Sequence, residues 1–154
     1  MKGKLNVYYD YMIQTGDRPD TIAHKYYGDS GYAWLVLLFN DIFDPIFDWP
    51  QFDNDFEEFL KGKYGSLQAA SETVHEYRWI TQQEQILQDG TKLEKKYIVV
   101  DQTTYATLSP SERELVTKFD YEEELNQQKR NIKILDKKYL VQVKNEVKEI
   151  LKDK

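Results

Sequence analysis

The chain has 154 residues, enough for one good core or a small domain with an appendage, and its 40% hydrophobic content is that of a globular protein. Twenty-seven acidic against 21 basic side chains give a formal net charge of −6, and the absence of cysteine excludes disulfide frameworks, thiolate metal sites and cysteine nucleophiles. No apolar run approaches the ~20 residues that cross a bilayer; the longest is Tyr32–Phe39.

The opening Met1-Lys2-Gly3-Lys4, followed by Leu5-Asn6-Val7-Tyr8, is too polar for the apolar centre of a secretory signal. Leu5 to Ile13, rich in tyrosine and valine, predicts a strand, and Thr15-Gly16-Asp17 breaks it with turn chemistry. A short helix follows from Pro19: Ile22, Ala23, Tyr26 and Tyr27 form one stripe, and Gly28 supplies a left-handed cap. Ser30 is a fitting N-cap for a second helix to about Asn40, apolar on every side and therefore in need of cover on both faces. After Asp44-Pro45 a short strand is expected around Ile46 to Trp49.

Phe52, Phe56, Phe59 and Leu60 fall at helical spacing and predict a helix over 53–64, with Gly62 and Gly65 marking a boundary. Val74–Ile80 and Tyr97–Val100 read as strands of a long hairpin turning at Asp89-Gly90, which would set Trp79 roughly opposite Val100. Ser109-Pro110-Ser111-Glu112 has the pattern of a capping box, predicting a helix towards Lys129. Ile132-Lys133-Ile134-Leu135 is strand-like. Tyr139, Val143, Val147, Ile150 and Leu151 form the stripe of a final amphipathic helix whose last residues, 152–154, should fray.

Little here promises catalysis. His24 and His75 stand far apart, outside any spacing that puts two imidazoles on one helical face, and read as structural. Asp53-Asn54-Asp55 with Glu57-Glu58 lacks the glycine and distant glutamate of a calcium loop, and reads as a solvated helix start. Gly62-Lys63-Tyr64-Gly65-Ser66 lacks phosphate-loop spacing, and no carboxylate pair is singled out for glycoside hydrolysis.

Charge and aromatic content are uneven. Residues 1–60 hold eleven acidic and four basic side chains, a net of −7, while the remainder carries +1. Such a front half repels phosphate backbones and favours a basic protein surface. Fourteen of the 22 aromatic residues also lie within 1–60, more than a unit of that size buries. From Asp41 to Glu58, seven acidic residues and no basic one are interleaved with Phe43, Phe47, Trp49, Phe52 and Phe56, a pattern of aromatic anchors ringed by one sign of charge. The same pattern also fits a core set with a solvated rim.

In strand-helix-helix-strand order, Gly16-Asp17, Ile22-Ala23, Tyr27-Gly28, Trp34 and Asn40 resemble a LysM module, a family that binds N-acetylglucosamine polymers. Arg18-Pro19-Asp20, Tyr27-Gly28-Asp29, Trp34 to Leu38, Asn40-Asp41 and Asp44-Pro45 resemble more specifically the LysM-like part of the baseplate wedge protein fifty-three family of contractile-tailed bacteriophages. Lys129-Arg130-Asn131-Ile132-Lys133-Ile134-Leu135 and the closing helix are similar to that family's carboxyl end.

The resemblance implies an α+β fold, with a LysM-like domain over 1–60 and a hairpin with helices over 61–154 that dock on other wedge proteins. It implies a virion component, assembled in the host cytoplasm and present in six-fold multiples, that joins or clamps wedge subunits near the tail hub. It implies no catalytic residue, cofactor or metal, and no nucleic-acid or membrane partner. Tyr32, Trp34, Phe43, Asp44, Pro45, Trp49, Ile132 and Ile134 are the interface residues expected. The alternative is a module binding peptidoglycan. Against it, Arg18-Pro19 interrupts the usual Gly-Asp-Thr start and no Pro-Gly turn precedes the last strand, both in loops that would hold sugar.

Overall fold

The computed structural model of the chain describes residues 7–152, so Leu5 and Asn6 of the expected first strand and residues 153 and 154 of the expected frayed end lie outside the described residues. The chain forms two compact units: one takes the residues up to Phe52 together with those from Asn126 onward, the other Asp53–Leu125. The boundary expected after residue 60 therefore falls earlier, and the carboxyl-terminal segment belongs with the amino-terminal one.

The first unit explains why. Strand β1 (Tyr8–Met12) pairs antiparallel with β7 (Asn131–Leu135), Tyr8 opposite Leu135 and Met12 opposite Asn131. Against this pair pack α1 (Pro19–Tyr27) and α2 (Ala33–Phe39), joined by a 3-10 turn over Ser30–Tyr32. Helix α1 begins and ends as its sequence predicts. Pro19 opens it, and Gly28, at φ 85°, donates its N–H to the His24 carbonyl. The cap before the second helix is Asp29, whose side chain accepts from the Gly31 N–H, rather than Ser30. Ile13, Ile22, Ala23, Val36, Trp49, Ile132 and Ile134 form the core, each buried aliphatic contributing about 2 kcal/mol.

The expected strand-helix-helix-strand order does not close within residues 1–60: Ile46–Trp49 is a run of turns, and the strand that pairs with β1 is β7. Two asparagines lock this closure. Asn40 donates to the Lys133 carbonyl at 2.8 Å and accepts from the Lys133 N–H at 2.7 Å, as a neighbouring strand would. Asn126, buried, grips the Gln51 backbone the same way, at 2.8 and 2.7 Å.

The second unit begins with α3 (Asp53–Tyr64), as predicted, with Asp53 and Asp55 at its positive end and Lys61 and Lys63 at its negative end. Helix α4 (Leu67–Glu72) leads into a three-stranded sheet in the order β5 (Lys96–Val100), β2 (Val74–Gln82), β6 (Arg113–Thr117). A small ladder of β3 (Gln85–Ile86) and β4 (Lys92–Leu93) continues the hairpin to its tip. The turn has three residues, not two: Leu87 donates to the Thr91 carbonyl, Gly90 donates to the Leu87 carbonyl, and Gly90 sits at φ 83°. A second irregularity at Ile80/Gln82 moves the register again, so Trp79 faces Ile98 rather than Val100.

The capping-box expectation at Ser109 is also corrected. Ser109–Glu112 is a tight turn, with the Glu112 N–H donating to the Ser109 carbonyl and the Ser109 hydroxyl bonded to the Glu112 carboxylate. The Glu112 carbonyl then accepts from Ile80, which draws Arg113–Thr117 into the sheet as β6. The short helix α5 (Gln102–Thr107) precedes this turn, and α6 (Lys118–Gln128) starts only after β6. The final helix, α7 (Leu140–Lys152), forms where the stripe predicts it.

Two buried charges organise this unit. Arg78, 1% exposed, forms a bidentate pair with Glu124 at 2.7 and 2.8 Å, bonds Glu76 at 2.6 Å and stacks 4.0 Å from the Tyr97 ring. Burial alone would favour its neutral form, but the Glu124 and Glu76 bonds outweigh that and raise its pKa. Glu122, also buried, accepts from Lys63 Nζ and Tyr64 OH, both at 2.7 Å.

Candidate protein-contact surface

In the first unit, the segment between α2 and the buried Trp49 reads Asp41-Ile42-Phe43-Asp44-Pro45-Ile46-Phe47-Asp48, two Ile-Phe-Asp triplets separated by a proline. Each aspartate folds the other triplet. Asp44 Oδ1 accepts from the N–H groups of Ile46 and Phe47 at 2.9 and 3.4 Å. Asp48 Oδ2 accepts from the N–H groups of Phe43 and Asp44 at 3.3 and 3.0 Å, and the Asp48 N–H returns to the Asp44 carbonyl at 2.7 Å. Pro45 fits the turn because its φ is already set and it has no N–H to satisfy. Lys129 Nζ caps the Phe47 carbonyl at 2.6 Å.

Both ends of this loop are anchored. Asn40 is fixed on β7, and the Trp49 indole is 8% exposed and donates to the Asp17 carbonyl at 3.1 Å. Asp17 in turn accepts the Tyr11 hydroxyl at 2.7 Å, and burial together with that bond pushes the Tyr11 pKa up to about 12. On this frame Ile42 turns inward against the core, while Phe43, Ile46 and Phe47 stand 81%, 71% and 60% exposed. Trp34 and Leu38, one turn apart on α2, add a further exposed apolar stripe.

The expected interface residues therefore divide. Phe43, Asp44 and Pro45 come together in the exposed loop, and Trp34 is partly open on α2. Tyr32 packs against the core, with its ring near Tyr27 and Lys144 of α7 over it. Trp49, Ile132 and Ile134 are core residues. The aromatic and acidic pattern that singled out Trp49 fits a core position equally well, and Ile132 and Ile134 were expected with the resemblance. Ile132 and Ile134 instead supply the inward face of β7. Ile46 and Phe47 were missed as exposed side chains because 46–49 was expected to be a strand. The repeated Ile-Phe-Asp triplet was the available signal.

The second unit has its own exposed apolar set. Trp79, Ile98 and Leu115 lie on one face of the β5-β2-β6 sheet, between 37% and 53% exposed, and Tyr105 of α5 covers the neighbouring Tyr77 at 4.8 Å. His75 stacks on Tyr121 at 3.8 Å, in keeping with a structural role. Among the described residues, no group of three or more acidic or histidine side chains is placed to hold a metal ion, and no helix is long and apolar enough to cross a membrane.

Charge is distributed by unit rather than by half. The first unit holds eleven acidic and thirteen basic side chains, a net of +2, because the basic carboxyl-terminal segment joins the acidic front. The second holds sixteen and eight, a net of −8.

The loop thus holds three large apolar side chains outward on a hydrogen-bonded frame. The chain is a member of the base plate wedge protein 53 family, whose sequence model matches residues 4–150, nearly its full length. Membership makes it a structural component of a phage tail baseplate, and so of the virion. Among curated proteins none matches the chain.

Proposed function

We propose that this chain joins neighbouring wedge subunits of a contractile-tail baseplate, in six-fold multiples, assembling in the host cytoplasm. The observation that carries the reading is that one chain contains two compact units, each with exposed apolar side chains. A joint needs two grips, and each unit offers one. Phe43, Ile46 and Phe47 serve the first grip; Trp79, Ile98 and Leu115 serve the second.

The test is assembly of the other wedge proteins with and without this chain, followed by sedimentation and electron microscopy. Joined wedges are expected only when the chain is present. Equal joining without it overturns the reading. The order β1-α1-α2-β7 supports a second reading, a LysM-like unit that binds N-acetylglucosamine polymers. Retention of the chain on purified peptidoglycan would favour it.

A further inference from the structure

We infer that the loop Asp41–Asp48 is a preformed plug that seats in an apolar pocket rimmed by lysine or arginine on another baseplate protein. The inference rests on the joining function proposed above and names the chemistry of one of its partners.

Three large apolar side chains held in water at 60–81% exposure contribute nothing to their own core. The loop is nevertheless built with care: two aspartate side chains accept four backbone N–H groups, and both ends are tied to the core. Rigidity of this kind reduces the ordering cost of binding, and aromatic side chains near the centre of a contact carry most of its energy.

Charge identifies the partner. Asp41, Asp44 and Asp48 flank the apolar side chains, three carboxylates against the Lys129 ammonium at the Phe47 carbonyl, and none of the three joins an ion pair among the described residues. Asp44 and Asp48 bond only backbone N–H groups, which keeps their charge while fixing their position. Two such plugs meeting would set three carboxylates against three, so a second copy of the loop is a poor occupant. Anionic lipid headgroups and nucleic acid are repelled likewise. A basic rim around an apolar pocket satisfies both features.

The test uses the full chain and a complex of the remaining wedge proteins from the same phage, immobilised. Phe43→Ser/Phe47→Ser is expected to weaken binding about tenfold or more while the thermal melt stays unchanged, and wild-type binding is expected to weaken as salt rises. Benzoylphenylalanine at position 43 should cross-link to a peptide of another wedge protein that contains lysine or arginine. Unchanged binding by the double variant, salt-insensitive binding, or a cross-link only to a second copy or to an acidic peptide overturns the inference and leaves the joining reading standing. If the wild-type chain does not bind the complex at all, the joining reading itself fails.

Discussion

Trp49 and Phe43 are both aromatic residues in the same acidic stretch, yet one is 8% and the other 81% exposed. Trp49→Ala should therefore cost about 3–5 kcal/mol in urea denaturation, and Phe43→Ser less than about 0.5 kcal/mol. The aromatic surplus of the front segment was legible from counting alone; the direction of each ring was not, because it depends on where β7 passes. Arg78→Met should destabilise by about 2–3 kcal/mol, as it removes the guanidinium that Glu76 and Glu124 share and leaves the half-buried Glu76 without its partner. Glu122 behaves differently. Burial opposes its charge, but the Lys63 and Tyr64 bonds prevail and hold its pKa below the ordinary carboxylate value. Its contribution is then present above the unfolded pKa of about 4.3 and is lost as pH falls through the lower folded value. Glu122→Gln should accordingly show a shallower loss of stability than wild type between about pH 5 and pH 3, read by denaturation at each pH.

At the level of elements, α1, α3, α7 and the central hairpin were legible because their signals are local: a proline start, a glycine cap, apolar spacing and a turn. The hairpin register was not, since a three-residue turn and a later bulge each shift it by one. Gly90, with open space where a Cβ would stand but φ at 83°, isolates the backbone term. Gly90→Ala should lower stability by about 1 kcal/mol and Gly90→Asn by less, measured by thermal denaturation. The strand over 113–117 was hidden because Ser109 and Glu112 satisfy a helix-start pattern as readily as a turn. The pairing of their successors with β2 decided between them.

For the whole molecule, α+β character, a structural role and the exposure of Phe43-Asp44-Pro45 followed from sequence and resemblance, whereas the division into units did not. A strand is visible in Ile132–Leu135, but nothing local says that its partner lies 127 positions earlier. Because each unit has its own core, Trp49→Ala should speed amide hydrogen exchange in β1 and β7 while leaving β2 protected, as hydrogen-exchange mass spectrometry would read. The late position of β7 also orders events during synthesis. The sheet of the second unit has all its strands by Thr117, whereas β1 must wait, unpaired, until Leu135 has been added. Folding from the ribosome therefore runs against the usual amino-terminal-first sequence. The first unit closes last, so a prematurely terminated product has no β7 on which Asn40 can anchor the Asp41–Asp48 loop.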